Sequence, residues 1–185
     1  MNTALILIDV QESFRQRPYW VEAASRPFLA RTNALLDGCA TRGVPVVRVL
    51  HTDGPSEPGN PFAVVSGHVR PMIGLAPFEA AAEFVKTRHS ALVGTGLSVW
   101  LREHGIGRLI VAGIRTEQCC ETTTRHASDE GFEVDYCAEA TLTFDMQLLD
   151  GSPLPAAAIV ARTTAVLSGR FATICSVEQA LERIA

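Results

Sequence analysis

The sequence predicts an α/β domain built on a mostly parallel sheet. Short apolar runs without polar alternation recur along the chain, as strands buried on both faces do. Segments with apolar residues at helical spacing lie between them. This alternation runs through all 185 residues with no internal repeat, low-complexity tract or linker, so 1–185 reads as a single domain.

The elements follow in order. Residues 4–8, ALILI, form a strand ended by Asp9. Phe28, Thr32, Leu35, Leu36 and Cys39 then mark a helix, with Gly43 as its stop. VPVVRVL (44–50) is the second strand and EFVKT (83–87) another. Leu97, Trp100, Leu101 and His104 mark a helix ended by Gly105, and RLIVAGI (108–114) is the next strand. A helix over 117–130, ended by Gly131, leads to FEVDYC (132–137). Pro155 opens a helix through Ile159, Thr163, Val166 and Leu167 to Gly169, followed by the strand FATICS (171–176). Ser176 with Gln179 is a capping-box pattern before Val177, Ala180, Leu181 and Ile184. Residues 51–79, rich in Pro and Gly, and residues 138–154 read as long loops, which in compact domains are functional or disordered.

Composition narrows the function. At 47% hydrophobic and 19% charged, with mean hydropathy +0.16, the chain can build a core. The net charge is −4, and its 16 Lys and Arg do not cluster, so no nucleic-acid face is expected. No apolar run approaches the roughly 18 residues of a membrane span. MNTALILIDV lacks a basic n-region and meets Asp9 at once, unlike a signal peptide. Five cysteines, odd in number and without metal-type spacing, suit a reduced, cytoplasmic compartment.

Ligands of a parallel sheet sit at the carboxyl ends of its strands. Asp9 ends the first strand, and Lys86 closes another. Cys119 follows RLIVAGI at the start of a helix, where amides and dipole favour a thiolate. Each has an ordinary alternative: a turn-capping Asp, a solvated Lys, a buried Cys. Together they make a nucleophile site, with Asp9 as acceptor of the thiol proton and Lys86 favouring both anions.

The chain resembles the isochorismatase-like cysteine hydrolase superfamily. The D-x-Q-x-x-F signature after an apolar run appears as Asp9, Gln11 and Phe14. The Lys element appears as Lys86, Thr95 and Leu97, and G-x-x-T-x-x-C as Gly113, Thr116 and Cys119. The resemblance implies a three-layer αβα fold with a six-stranded, mostly parallel sheet. It implies an Asp9–Lys86–Cys119 triad, a cis peptide at Ile114–Arg115, and an oxyanion hole from the Arg115 and Cys119 N–H groups. The expected activity is hydrolysis of a small amide-like C–N bond through a thioester, on a small-molecule substrate, with no cofactor.

Departures and neighbours add further expectations. Arg115 stands where a small residue is common, and either enters the substrate pocket beside Gln11 and Phe14 or points to solvent. Cys120 faces packing. Nicotinamidases of this superfamily hold a metal with an Asp and two His after the second strand. Here His51, Asp53 and a distant His68 lack that spacing, so no metal is expected. Trp20, Phe62 and Phe144 line a pocket or pack in core or interface. His89 and Ser90 border the site or the surface, and Thr122, Thr123 and Thr124 pack while bonding helix carbonyls. A homo-oligomer is expected, with exposed Trp20 and Phe62 as anchors. Two other readings remain: a non-catalytic binding or assembly protein on this fold, and a redox pair Cys119–Cys120.

Overall fold

The computed structural model describes residues 2–184. Six parallel strands form one sheet in the order β3-β2-β1-β4-β5-β8. They are β1 (Asn2–Ile8), β2 (Val46–His51), β3 (Ala82–Lys86), β4 (Ile106–Ile114), β5 (Glu133–Leu142) and β8 (Thr173–Cys175). The helices are α1 (Glu22–Thr41), α2 (Leu97–Glu103), α3 (Glu121–Asp129), α4 (Ala156–Leu167) and α5 (Val177–Glu182). β6 (Met146–Gln147) and β7 (Pro153–Leu154) pair as a small antiparallel hairpin outside the sheet.

β1 carries two cores at once, because successive strand residues point to opposite faces. Leu5 and Leu7 join the α1 and α5 side, with Phe28, Leu35, Cys39, Val177 and Ala180. Ala4, Ile6 and Ile8 join the other side, with Leu97 and Leu101 of α2, Ala127 of α3 and Leu167 of α4. These are the three layers expected. The capping box at Ser176 and Gln179 is formed.

The chain moves from β1 outward through β2 to β3, then returns to β4 and moves outward the other way. The order reverses between β1 and β4, which is where such sheets bind ligands.

Two segments differ from the sequence reading. The 138–154 stretch is not one loop, since β5 runs on to Leu142 and the β6–β7 hairpin follows. A register shift hides this continuity: Val111 pairs with Tyr136, but Gly113 with Thr141. The helix expected over 117–130 begins as a π-type turn, Thr116–Cys120, before α3. Trp20 and Phe62 are half-buried: the Trp20 indole N–H donates to Glu22, and Phe62 packs edge-on against Phe14. Neither is the exposed anchor expected. The exposed large apolar side chains include Val64, Ile73, Leu148 and Leu149 instead. No helix among the described residues is long and apolar enough to cross a membrane.

Candidate active site

Four strand ends supply the site. Asp9 follows β1 with its N–H donated to Val49 C=O at 2.8 Å. Its φ of 54° is left-handed, a region Asp tolerates better than most residues. Lys86 closes β3 in register with His51, the last residue of β2. Cys119 lies in the π-type turn after β4.

These residues meet around one ammonium. Lys86 Nζ is 2.7 Å from Asp9 Oδ2 and 3.3 Å from Cys119 Sγ, and 3.2 Å from His51 Nδ1. The Asp9 and Lys86 side chains are sealed from solvent, at 0% exposure each. Burial raises the Asp9 carboxyl above its ordinary value, opposed chiefly by Lys86. Burial lowers Lys86, but the neighbouring Asp9 carboxylate, with Cys119 adding to it, outweighs this, so its pKa lies above normal and it stays charged.

Cys119 departs from the sequence expectation of a lowered thiol pKa. Burial, then the Asp9 charge, push it up to about 12 against the pull of Lys86. The resting Cys119 side chain is therefore a thiol, and it becomes an anion only if a nearby base removes that proton.

The Ile114–Arg115 peptide is cis. The Arg115 N–H has no acceptor among the described residues, and the first bond of the π ladder is Cys120 N–H to Arg115 C=O at 3.1 Å. The Cys119 amide stands ahead of that ladder, where helical N–H groups lack backbone partners. Thr116 fastens the turn: its hydroxyl donates to Thr141 at 2.9 Å, and its carbonyl accepts from the buried Tyr136 hydroxyl at 2.9 Å. Gly113 is required by close approach, because a Cβ there would lie 1.9 Å from the Ile8 carbonyl oxygen.

A cavity of about 280 Å³ opens over the thiol. Phe14, Tyr19 and Phe62 give it aromatic walls, and His51 and His89 flank Cys119. Arg17, Asp53 and Asn60 supply polar rim groups. The 52–62 wall is tied to itself: Asp53 N–H and the Thr52 hydroxyl both donate to Phe62 C=O, and Asn60 Nδ2 donates to Asp53 C=O at 2.6 Å.

Several expected residues land elsewhere or differently. Phe14 lines the cavity. Gln11 does not; it is fully buried, its amide clipping the His51 backbone by accepting from His51 N–H at 2.7 Å and donating to His51 C=O at 2.9 Å. Arg115 reaches the cavity wall but is not a free cation: it pairs with Glu117 at 3.0 Å and stacks near Tyr19 and Phe144. His89 lines the cavity, whereas buried Ser90 turns away to the His126 ring at 2.9 Å. The Thr123 hydroxyl accepts from Ala91 N–H rather than serving only its own helix.

Cys120 is fully buried, away from the cavity, and all five cysteines are unpaired. His68 lies at a different surface depression from His51 and Asp53. Among the described residues no group of three or more His, Cys, Asp or Glu side chains converges as metal ligands. Sequence reasoning missed Arg17, Tyr19 and Gln118 on the wall, and the part played by His51. The only signal for His51 was its place at the end of a buried strand.

Comparison with known proteins identifies the family and matches the fold. The model of the isochorismatase domain matches residues 3–179. The isochorismatase family protein YrdC of Bacillus subtilis, itself uncharacterized, is 29% identical over 95% of this chain and 92% of its own. Nicotinamidase 3 of Arabidopsis thaliana is 30% identical over 78% of this chain and 75% of its own. A crystal structure of an isochorismatase-family protein from Chromobacterium violaceum superposes with a TM-score of 0.89 at 26% identity, covering 99% of this chain and 93% of that one.

Proposed function

We propose, on the premise that this chain belongs to the isochorismatase family of hydrolases, that it is a cysteine hydrolase cleaving a small amide-like C–N bond. The observation that carries the reading is the single buried ammonium of Lys86 held 2.7 Å from Asp9 and 3.3 Å from Cys119, which itself lines the cavity.

Asp9 takes the thiol proton as Sγ bonds to the substrate carbonyl carbon. A carboxyl raised by burial is a better base than a solvated one. Lys86 keeps its charge and compensates first the carboxylate, then the sulfur as it acquires anionic character. The carbonyl oxygen becomes an oxyanion facing the Arg115 and Cys119 amides. When the intermediate collapses, the C–N bond breaks and Asp9 returns the proton to the leaving amine. A thioester remains. Water, losing a proton to Asp9, then releases the acid, and the thiolate recovers that proton. No metal is used in this sequence. A free-thiol nucleophile suits a reducing compartment such as the cytoplasm.

Ammonia release from a panel of primary amides, ureido acids and carbamoyl compounds tests the reading. At least one should be hydrolysed, with an acyl adduct on Cys119 detectable by mass spectrometry after acid quench. Turnover that survives Cys119→Ala would overturn it.

A further inference from the structure

Lys86 Nζ forms an ion pair with Asp9 Oδ2 at 2.7 Å and hydrogen bonds to Cys119 Sγ and His51 Nδ1. An ammonium has no lone pair, so at the 3.2 Å contact the imidazole nitrogen must accept. The one proton of a neutral His51 then sits on Nε2.

The ring is held in place. Gln11 clips the His51 backbone on both sides, and the Phe62 ring meets the imidazole edge-on at 5.8 Å. Nε2 bonds to no described residue, yet it is not sealed off from solvent, and His51 is part of the cavity wall. The outcome is an N–H donor with a fixed direction and no partner, beside the nucleophile. Burial and the charge of Lys86 lower the His51 pKa to about 4, so the ring stays neutral near pH 7. A neutral imidazole is a poor proton donor, which makes this a hydrogen-bonding group rather than a general acid.

We propose that His51 is a specificity-determining residue whose Nε2–H binds an acceptor atom on the acyl part of the substrate, selecting amides that carry a ring nitrogen, ether oxygen or second carbonyl there. This rests on the cysteine-hydrolase reading, because the acyl group occupies the cavity only if Cys119 attacks it.

The test uses aldehydes, which add reversibly to a thiol and need no leaving group. Protection of Cys119 from iodoacetamide is measured for two matched pairs: methoxyacetaldehyde against butyraldehyde, and pyridine-3-carbaldehyde against benzaldehyde. Intrinsic electrophilicity cancels when each pair's ratio is compared between proteins. His51→Asn keeps an acceptor for Lys86 but loses the reach of Nε2, whereas His51→Gln places an amide N–H near it.

The acceptor-bearing member of each pair should protect wild type better, relative to His51→Asn, by about three- to tenfold, the size of one neutral hydrogen bond. His51→Gln should retain part of that preference. Ratios equal in wild type and His51→Asn overturn the assignment while leaving Cys119 as nucleophile. So does failure of all four aldehydes to protect while Cys119 remains the thiol that alkylates first. If Cys119 alkylates no faster than the four other cysteines, the hydrolase reading fails, and this inference with it.

Discussion

In the proposed mechanism Asp9, Lys86 and Cys119 divide the work of activation unequally. The thiol sits near 12, so the base matters more than the cation. Asp9→Asn should therefore lower kcat by about 10²-fold or more, the usual size of a general-base contribution. In wild type, kcat/KM should fall on acidification through the pKa of Asp9, which lies above 3.8. A profile flat down to that value would remove Asp9 as the base. The adjacent cysteines separate cleanly. Cys119→Ala should abolish turnover and the accessible alkylation site. Cys120→Ala, in a fully buried position off the cavity, should keep turnover within a few-fold and lower stability by about 1 kcal/mol or more. Denaturant melts and assays on both variants check this. These residue types were legible because each falls at a strand end. The thiol pKa was not, since helix and lysine were visible in the sequence and the burial of the thiol was not.

At the scale of elements, β4 and the turn behind it decide where Cys119 stands. Gly113 leaves no room for a Cβ against the Ile8 backbone of β1, while β5 shifts register on its other side. Gly113→Ala should cost more than about 2 kcal/mol, with soluble yield and thermal midpoint as readouts, because the neighbour in the way is backbone and cannot swing aside. A variant as stable as wild type would contradict the approach described. The run RLIVAGI announced β4 plainly. The far half of β5 stayed hidden, because a bulge breaks the periodicity by which strands are read. The π-type turn was equally hidden, since its apolar spacing is that of an ordinary helix start.

The molecule as a whole was legible in its layers and in the place of its site: buried strands alternating with amphipathic helices leave few alternatives. The cavity wall was not, because its residues come from irregular segments whose packing depends on distant partners. Those partners also tune the global response to acid. His51 titrates near 4 when folded and near 6.5 when unfolded, through burial and Lys86, with His89 adding and Asp53 opposing. Between those values the unfolded chain binds a proton that the folded chain refuses, so stability rises with pH across this window. Thermal midpoints should drop as pH falls from 6.5 towards 4, and His51→Asn should flatten that slope; an unchanged slope would mean the ring is not held neutral.

The 52–62 wall closes on its own hydrogen bonds, at Phe62 C=O and Asp53 C=O, and sits beyond the carboxyl end of β2. It is also moored to the site, since Thr52 N–H donates to Lys86 C=O at 3.0 Å and Phe62 meets Phe14 and His51. An engineer who keeps these moorings and exchanges only the tip between them would change which molecules enter while leaving the sheet as it is.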